Sequence, residues 1–149
     1  MPTFRESTQI ATDPGRVWRA LTDPSEVVQW DTGVVEALDA PPDYPRVGER
    51  VRWSYRLGPI PLVLHDRPEE VLPEETLRSS IWLGPFQFDE TYTLVSQGPG
   101  RSELTAELSV TSAVPLVGAL LTRLVGYPLA RATVRTSLRS IKRHCEAGP

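Results

Sequence analysis

Little in this sequence favours redox or metal chemistry. The only cysteine, Cys145, cannot form an intramolecular disulfide in a chain of 149 residues. The two histidines, His65 and His144, lie far apart, and with one cysteine they make no set with zinc-ligand spacing. An excess of one charge is also lacking: 16 Lys and Arg against 19 Asp and Glu leave −3, so no general field draws in nucleic acid or anionic lipid. The most apolar stretch, Ala113 to Ala130, is broken by Thr122, Arg123 and Pro128, short of the run of about 20 apolar residues that a membrane span needs. The N-terminus, Met1-Pro2-Thr3-Phe4-Arg5, has no basic region followed by an apolar run. Gly98-Pro99-Gly100 is a turn, since neither a suitable helix nor a Lys-Ser or Lys-Thr pair follows, as a phosphate loop requires. These absences lead us to expect no metal, no cofactor, no nucleic acid partner and no stable membrane insertion, with a reducing cytoplasm as the setting.

What is present fits a single domain over residues 1–149. A chain of this length typically buries ~70% of its unfolded surface, enough for a core and an internal pocket. The 15 prolines fall mostly between candidate elements, where a missing N–H is harmless. Phe4 to Ala11 reads as a strand with Phe4, Thr8 and Ile10 on one face, and Thr12-Asp13-Pro14 as a helix cap with proline in the first turn. Val17, Trp18, Ala20 and Leu21 give that helix an apolar side, and Asp23-Pro24-Ser25-Glu26 starts a second short helix carrying Val27, Val28 and Trp30.

From Val34 the period changes. Val34 to Leu38 and Arg50 to Leu57 read as strands, the second with Val51, Trp53, Tyr55 and Leu57 opposite Arg50, Arg52 and Arg56. Gly58 to Pro61 turns the chain into a strand from Leu62 to Leu72, and Pro73-Glu74-Glu75 leads to another over Thr76 to Leu83. After Gly84-Pro85, Phe86 to Val95 sets Phe86, Phe88, Glu90, Tyr92 and Leu94 on one face; the last strand carries Leu104, Ala106, Leu108 and Val110. A long helical region then opens at Pro115, with Tyr127, Ala130, Val134, Leu138, Ile141 and Cys145 in one stripe, and Gly126 and Pro128 kinking or splitting it. The order is one strand, two short helices, six strands and a helix that must bury one face. That predicts an α+β fold in which a curved antiparallel sheet of about seven strands wraps a long C-terminal helix.

The segment Ile10-Ala11-Thr12-Asp13-Pro14-Gly15-Arg16-Val17-Trp18-Arg19-Ala20-Leu21-Thr22-Asp23-Pro24, followed by Trp30, resembles the opening of the START-like (SRPBCC) superfamily of polyketide cyclases, lipid-transfer domains and the birch-pollen-allergen fold. Val47-Gly48, Tyr92-Thr93-Leu94 before the Gly98 to Gly100 turn, and Leu138 with Ile141-Lys142 are similar to weaker markers, so the likeness spans almost the whole chain. Arg101-Ser102 stands where relatives often have Gly-Thr. The resemblance implies a helix-grip fold with a cavity between sheet and helix, and a small hydrophobic molecule as partner. Members of the superfamily bind lipids, sterols, hormones and polyketides, and some catalyse cyclisation or dehydration; no shared catalytic motif can be carried across.

Two residues are candidates for catalysis. Alternation puts Glu90 among Phe86, Phe88 and Tyr92, where burial would raise its pKa and prepare it as a general acid or base; a bulge turning it to solvent, or a paired arginine, is the other reading. His65 lies in a strand whose faces, Val63-His65-Arg67 and Leu64-Asp66, the pattern does not assign as inner or outer, so it is either a cavity proton shuttle or a surface residue. Trp53, Tyr55, Phe86, Phe88, Tyr92 and Leu108 are the candidate ligand contacts: the aromatics could stack on a flat molecule, and Tyr55 or Tyr92 could donate to a carbonyl, or they could fill core volume. Trp18 and Trp30 read as packing residues and His144 as facing water. The basic residues Arg123, Arg131, Arg135, Arg139, Lys142 and Arg143 read as a solvated face or a lipid-attracting one. A carrier of a small hydrophobic or aromatic molecule, a cyclase, aromatase or dehydratase, and a protein-interaction module are the functional expectations, in that order, as monomer or homodimer.

Overall fold

The computed structural model describes residues 2–112 and 118–148. Strand β1 (Thr3–Ile10) leads into helices α1 (Pro14–Thr22) and α2 (Pro24–Trp30). Strands β2 (Val34–Ala37), β3 (Val51–Leu57), β4 (Ile60–Leu72), β5 (Thr76–Leu83), β6 (Phe86–Ser96) and β7 (Ser102–Ser112) follow. The C-terminal region holds α3 (Gly118–Leu121), a π-helical turn (Thr122–Gly126) and α4 (Tyr127–Glu146). All strand pairs are antiparallel, and they form one seven-stranded sheet in the order β1-β7-β6-β5-β4-β3-β2. This is the antiparallel sheet with a long C-terminal helix that the order of elements predicts, and the helix-grip architecture that the resemblance implies. The expected helix start at Pro115 lies outside the described residues.

Period and burial agree along the sheet. In β5, Leu77, Ser79, Ile81 and Leu83 are buried while their neighbours are half-buried, and β6 pairs with β7 in unbroken register from Phe86–Ser112 to Ser96–Ser102. The stripe Ala130, Val134, Leu138, Ile141 and Cys145 buries α4 against β1 and β7, as spacings of three and four require. Gly126 makes the closest approach: a Cβ there would lie 3.2 Å from Phe86 and 3.3 Å from Val110. Just before Pro128, which offers no N–H, the helix widens, and the Tyr127 N–H bonds Thr122 in a π turn. The expected break at Gly126 and Pro128 is thus a change of helical winding.

Two local readings change. Asp13 stands at the start of α1 but does not cap it; its carboxylate accepts from the Gly100 N–H (2.8 Å), while Ser102 donates to the Thr12 carbonyl (2.7 Å). Together they fasten the β6–β7 turn to the start of α1. Asp23 does cap α2, accepting from the Ser25 N–H at 2.9 Å. The turn after β3 uses only Gly58-Pro59, so β4 starts at Ile60, pairs Leu57 with Ile60, and sets Leu64 beside Trp53. Among the described residues no helix is long and apolar enough to cross a membrane.

Candidate functional site

Between the concave sheet face and the helices lies a cavity of ≈ 100 Å³. Trp53 and Tyr55 of β3 form one wall, Leu77 and Ile81 of β5 the floor, and Phe88, Glu90 and Tyr92 of β6 the far side. Leu129, Thr133 and Ser137 of α4 close it on the helix side, and Trp30, held by a 2.8 Å bond from its indole N–H to the Ala20 carbonyl, closes the end at α2. Asp31, Val34, Tyr55, Leu129 and Thr133 line it while half-exposed, which marks the mouth. Gly33 fits there because any Cβ would fall 2.4 Å from the Tyr55 ring. The Gly33 N–H also donates to Asp31 Oδ1 at 3.0 Å, so one glycine holds both a carboxylate and a phenol at the entrance.

Three carboxyl groups face this space: Asp31, Asp66 and Glu90. Burial pushes the Glu90 pKa up to about 8, and the nearby Asp66 and Asp31 charges add to the rise. Glu90 is enclosed by protein, yet the cavity leaves part of its side chain accessible. Asp66 is 5% exposed; its Oδ2 accepts from Tyr44 Oη (2.6 Å) and Trp53 Nε1 (3.2 Å). Its Oδ1 makes no full hydrogen bond among the described residues, although Ser79 acts with Tyr44 and Trp53 to pull the carboxyl pKa down. Burial raises the Asp66 pKa against the pull of these donors, and burial likewise raises that of Asp31 against the Gly33 N–H. Burial and the acids also hold the phenols protonated, Tyr55 at about 12 and Tyr44 and Tyr92 well above their usual range. The site can therefore donate from neutral Glu90 and from the phenols, and accept at Asp66. Among the described residues no three of His, Cys, Asp and Glu stand close enough to hold a metal ion.

The family model for polyketide cyclase / dehydrase and lipid transport matches residues 1–146. The chain belongs to this family. Solved structures agree on the fold. The ZhuI aromatase/cyclase from Streptomyces sp. R1128 superposes with a TM-score of 0.82 at 9% identity, covering 97% of this chain and 93% of that one. A protein from Mesorhizobium loti gives 0.76 at 21% identity, covering 99% of both chains, and a START superfamily protein from Mycobacterium smegmatis gives 0.69 at 14%, covering 95% of this chain and 98% of that one. No curated protein matches the sequence.

In this member of the polyketide cyclase / dehydrase and lipid-transport family, Glu90, Trp53, Tyr55, Phe88, Tyr92 and Leu108 line the cavity together. Phe86 and His65 do not. Phe86 points inward but packs under Gly126, beyond the cavity. His65 stands on the outer face of the sheet, between Arg52 and Trp82 in the cross-strand register, and its buried Nδ1 has no partner among the described residues. His144 does not face water: its Nε2 lies 2.8 Å from Glu26 Oε1, in a cluster with Arg16 and Arg19 that joins α1, α2 and α4. The sequence reading missed Asp66, Tyr44 and Asp31. Asp66 was discoverable, because the two-residue turn at Gly58-Pro59 fixes the register that puts Leu64 and Asp66 on the face of Trp53. Tyr44, in a proline-rich loop, and Asp31, at the end of a helix, have no period to betray them.

Proposed function

We propose that this protein binds a small molecule with an apolar or aromatic body in the chamber between its sheet and α4. The observation that carries this reading is an interior cavity walled by Trp30, Trp53, Tyr55 and Phe88 into which a few polar groups converge. Its ≈ 100 Å³ is smaller than the engineered apolar cavity of about 150 Å³ that holds benzene, so it has no room for a fused polyketide and takes a single ring with part of the molecule in the mouth. A protein that served only as an interaction module would have no need to keep this volume open. Because Trp30 and Trp53 line the chamber, an occupant should change tryptophan fluorescence. Native mass spectrometry of freshly purified protein should show a retained mass, or titration with single-ring probes should give saturable quenching; neither retained mass nor quenching would refute the proposal.

A second reading is favoured by Glu90 in particular. A neutral carboxylic acid with a pKa pushed up to about 8, facing a chamber with protonated Tyr55 and Tyr92, is equipped to move a proton near neutral pH while a phenol polarises a carbonyl. The protein would then be a cofactor-independent cyclase, aromatase or dehydratase. Turnover separates the two readings: as an acid–base catalyst Glu90 must titrate near neutrality by carboxyl NMR, and in addition Glu90→Gln must abolish turnover while sparing ligand affinity.

A further inference from the structure

Among the described residues that line it, the chamber has acids and no bases. Asp31, Asp66 and Glu90 face it, the phenols of Tyr44, Tyr55 and Tyr92 surround them, and no lysine, arginine or histidine is among the described residues that line it. Buried carboxylates ordinarily stand beside a cation that offsets their desolvation. Among the described residues no cation lines the chamber to do so, although the same chain clusters Arg16, Arg19 and His144 around Glu26 outside the cavity. The need is sharpest at Asp66, which is 5% exposed and lines the cavity, and whose enclosed Oδ1 makes no full hydrogen bond among the described residues although Ser79 also acts on the carboxyl. An acceptor so deeply buried and unpartnered costs stability unless something occupies it.

We infer that the chamber is built for a cationic ligand, a small single-ring or apolar molecule carrying a protonated amine, whose ammonium group sits between Asp66 and Glu90 while its body lies against the aromatic walls. This deepens the binding proposal and rests on it. An ammonium group brings up to three N–H donors to acceptors that lack them, and indole and phenol faces such as those of Trp53 and Tyr55 attract a cation as well. A carboxylate or phosphate ligand would bring its negative charge into a poorly solvated space beside Asp31 and Asp66, with no cation among the described lining residues to offset it. A ligand whose only feature is apolarity would leave Asp66 Oδ1 unsatisfied.

Binding has a proton consequence. Of the titratable groups facing the chamber, Tyr44, Tyr55 and Tyr92 stay protonated near neutrality, so the carboxyls alone respond. As the ammonium enters with its charge, the Glu90 carboxyl gives its proton to solvent and becomes the carboxylate partner. Affinity for the amine should therefore rise with pH between about 5 and about 8, and binding near neutrality should release a proton.

Three probes of one shape test this: 2-phenylethylammonium, 2-phenylethanol and 3-phenylpropionate, followed by tryptophan quenching and by calorimetry in two buffers of different ionisation enthalpy. The amine should bind at least about tenfold more tightly than the alcohol at about pH 8, with a buffer-dependent heat near neutrality, and the propionate should not bind. Glu90→Gln should reduce the preference for the amine several-fold and remove the buffer dependence while alcohol binding persists. Asp66→Asn, checked for an intact chamber by its alcohol binding, should also reduce that preference. An amine no better than the alcohol, or propionate binding equally well, would overturn the cationic-ligand inference and leave the chamber a ligand site. Failure of all three probes to bind would overturn both readings.

Discussion

Glu90 and Glu26 carry the same carboxyl group, and their surroundings pull it in opposite directions. Glu90 has burial and two acids around it, so its pKa rises from 4.5 to about 8. At Glu26 burial also pushes upward, but hydrogen bonds from His144, Arg16 and Arg19 outweigh it and the pKa falls. The consequences for folding have opposite signs. Folded Glu90 keeps its proton where the unfolded chain has lost it, so its contribution is fully present below about pH 4.5 and is lost as pH rises toward about 8. Glu26 contributes above its ordinary range, and that contribution disappears as acid protonates it. Denaturant melts over a pH series should show Glu90→Gln equal to or more stable than the parent at neutral pH, with a flatter pH profile. Glu26→Gln should lose about 1–3 kcal/mol there, because charged hydrogen bonds of a mostly buried group go with it. At the cavity mouth, Gly33→Ala should force the Tyr55 ring aside and weaken probe binding more than it lowers the melting temperature, as quenching titration and a thermal melt would show.

Among the elements, α4 contributes the largest helical surface to the core. Leu138 is 4% exposed and Ile141 is fully buried, so changing either to Ala should destabilise by about 2–5 kcal/mol, measured by chemical denaturation. Arg135→Ala, which breaks only an exposed pair with Glu6, should change stability by less than about 1 kcal/mol. Removing residues from Arg131 onward should abolish cooperative unfolding; an unchanged melting transition would show that the helix is dispensable. The strands were legible in proportion to the regularity of their pairing. In β6 unbroken alternation put Glu90 in the interior, and its register with β7 has no shift that could turn it outward. In β4 the register shifts between Pro68 and Glu70, so the strand has no single parity from end to end, and the inward Asp66 and outward His65 are legible only through the Gly58-Pro59 turn that sets the pairing with β3. Alternation gives direction, not depth: Phe86 faces inward like Phe88, but only the helix approach at Gly126 shows that its ring is already covered.

For the molecule as a whole, the excess positive charge of the C-terminal region meets acids placed elsewhere along the chain. Arg135 reaches Glu6, Lys142 bonds both Glu146 and the Gln9 carbonyl, and Glu146 in turn accepts from the Ala11 N–H. These ties fasten α4 to the end of β1 and leave the interior to the acids. An occupant of the chamber binds the folded state alone and should stabilise it by mass action. At about 100 times its Kd a probe would add about 2.7 kcal/mol, raising the melting temperature by roughly 5–10 °C for a chain of this size. Differential scanning fluorimetry against probe concentration would show the rise, and no shift with a probe that quenches tryptophan would place that probe on the surface.

The π turn at Thr122–Gly126 also works as a phase adjuster. A hydrogen bond that spans one residue more than in an α-helix lets α3 and α4 keep their own rotational settings along one continuous rod. With this setting Gly118, Thr122 and Gly126 face the protein while Leu120 and Leu124 remain 65% and 67% exposed. Rewinding the turn to α geometry with no residue removed would rotate everything before it by about 100° relative to α4. The small residues would then leave the sheet, and the leucines would be driven toward Phe86 and Val110, where even a Cβ at Gly126 would be crowded.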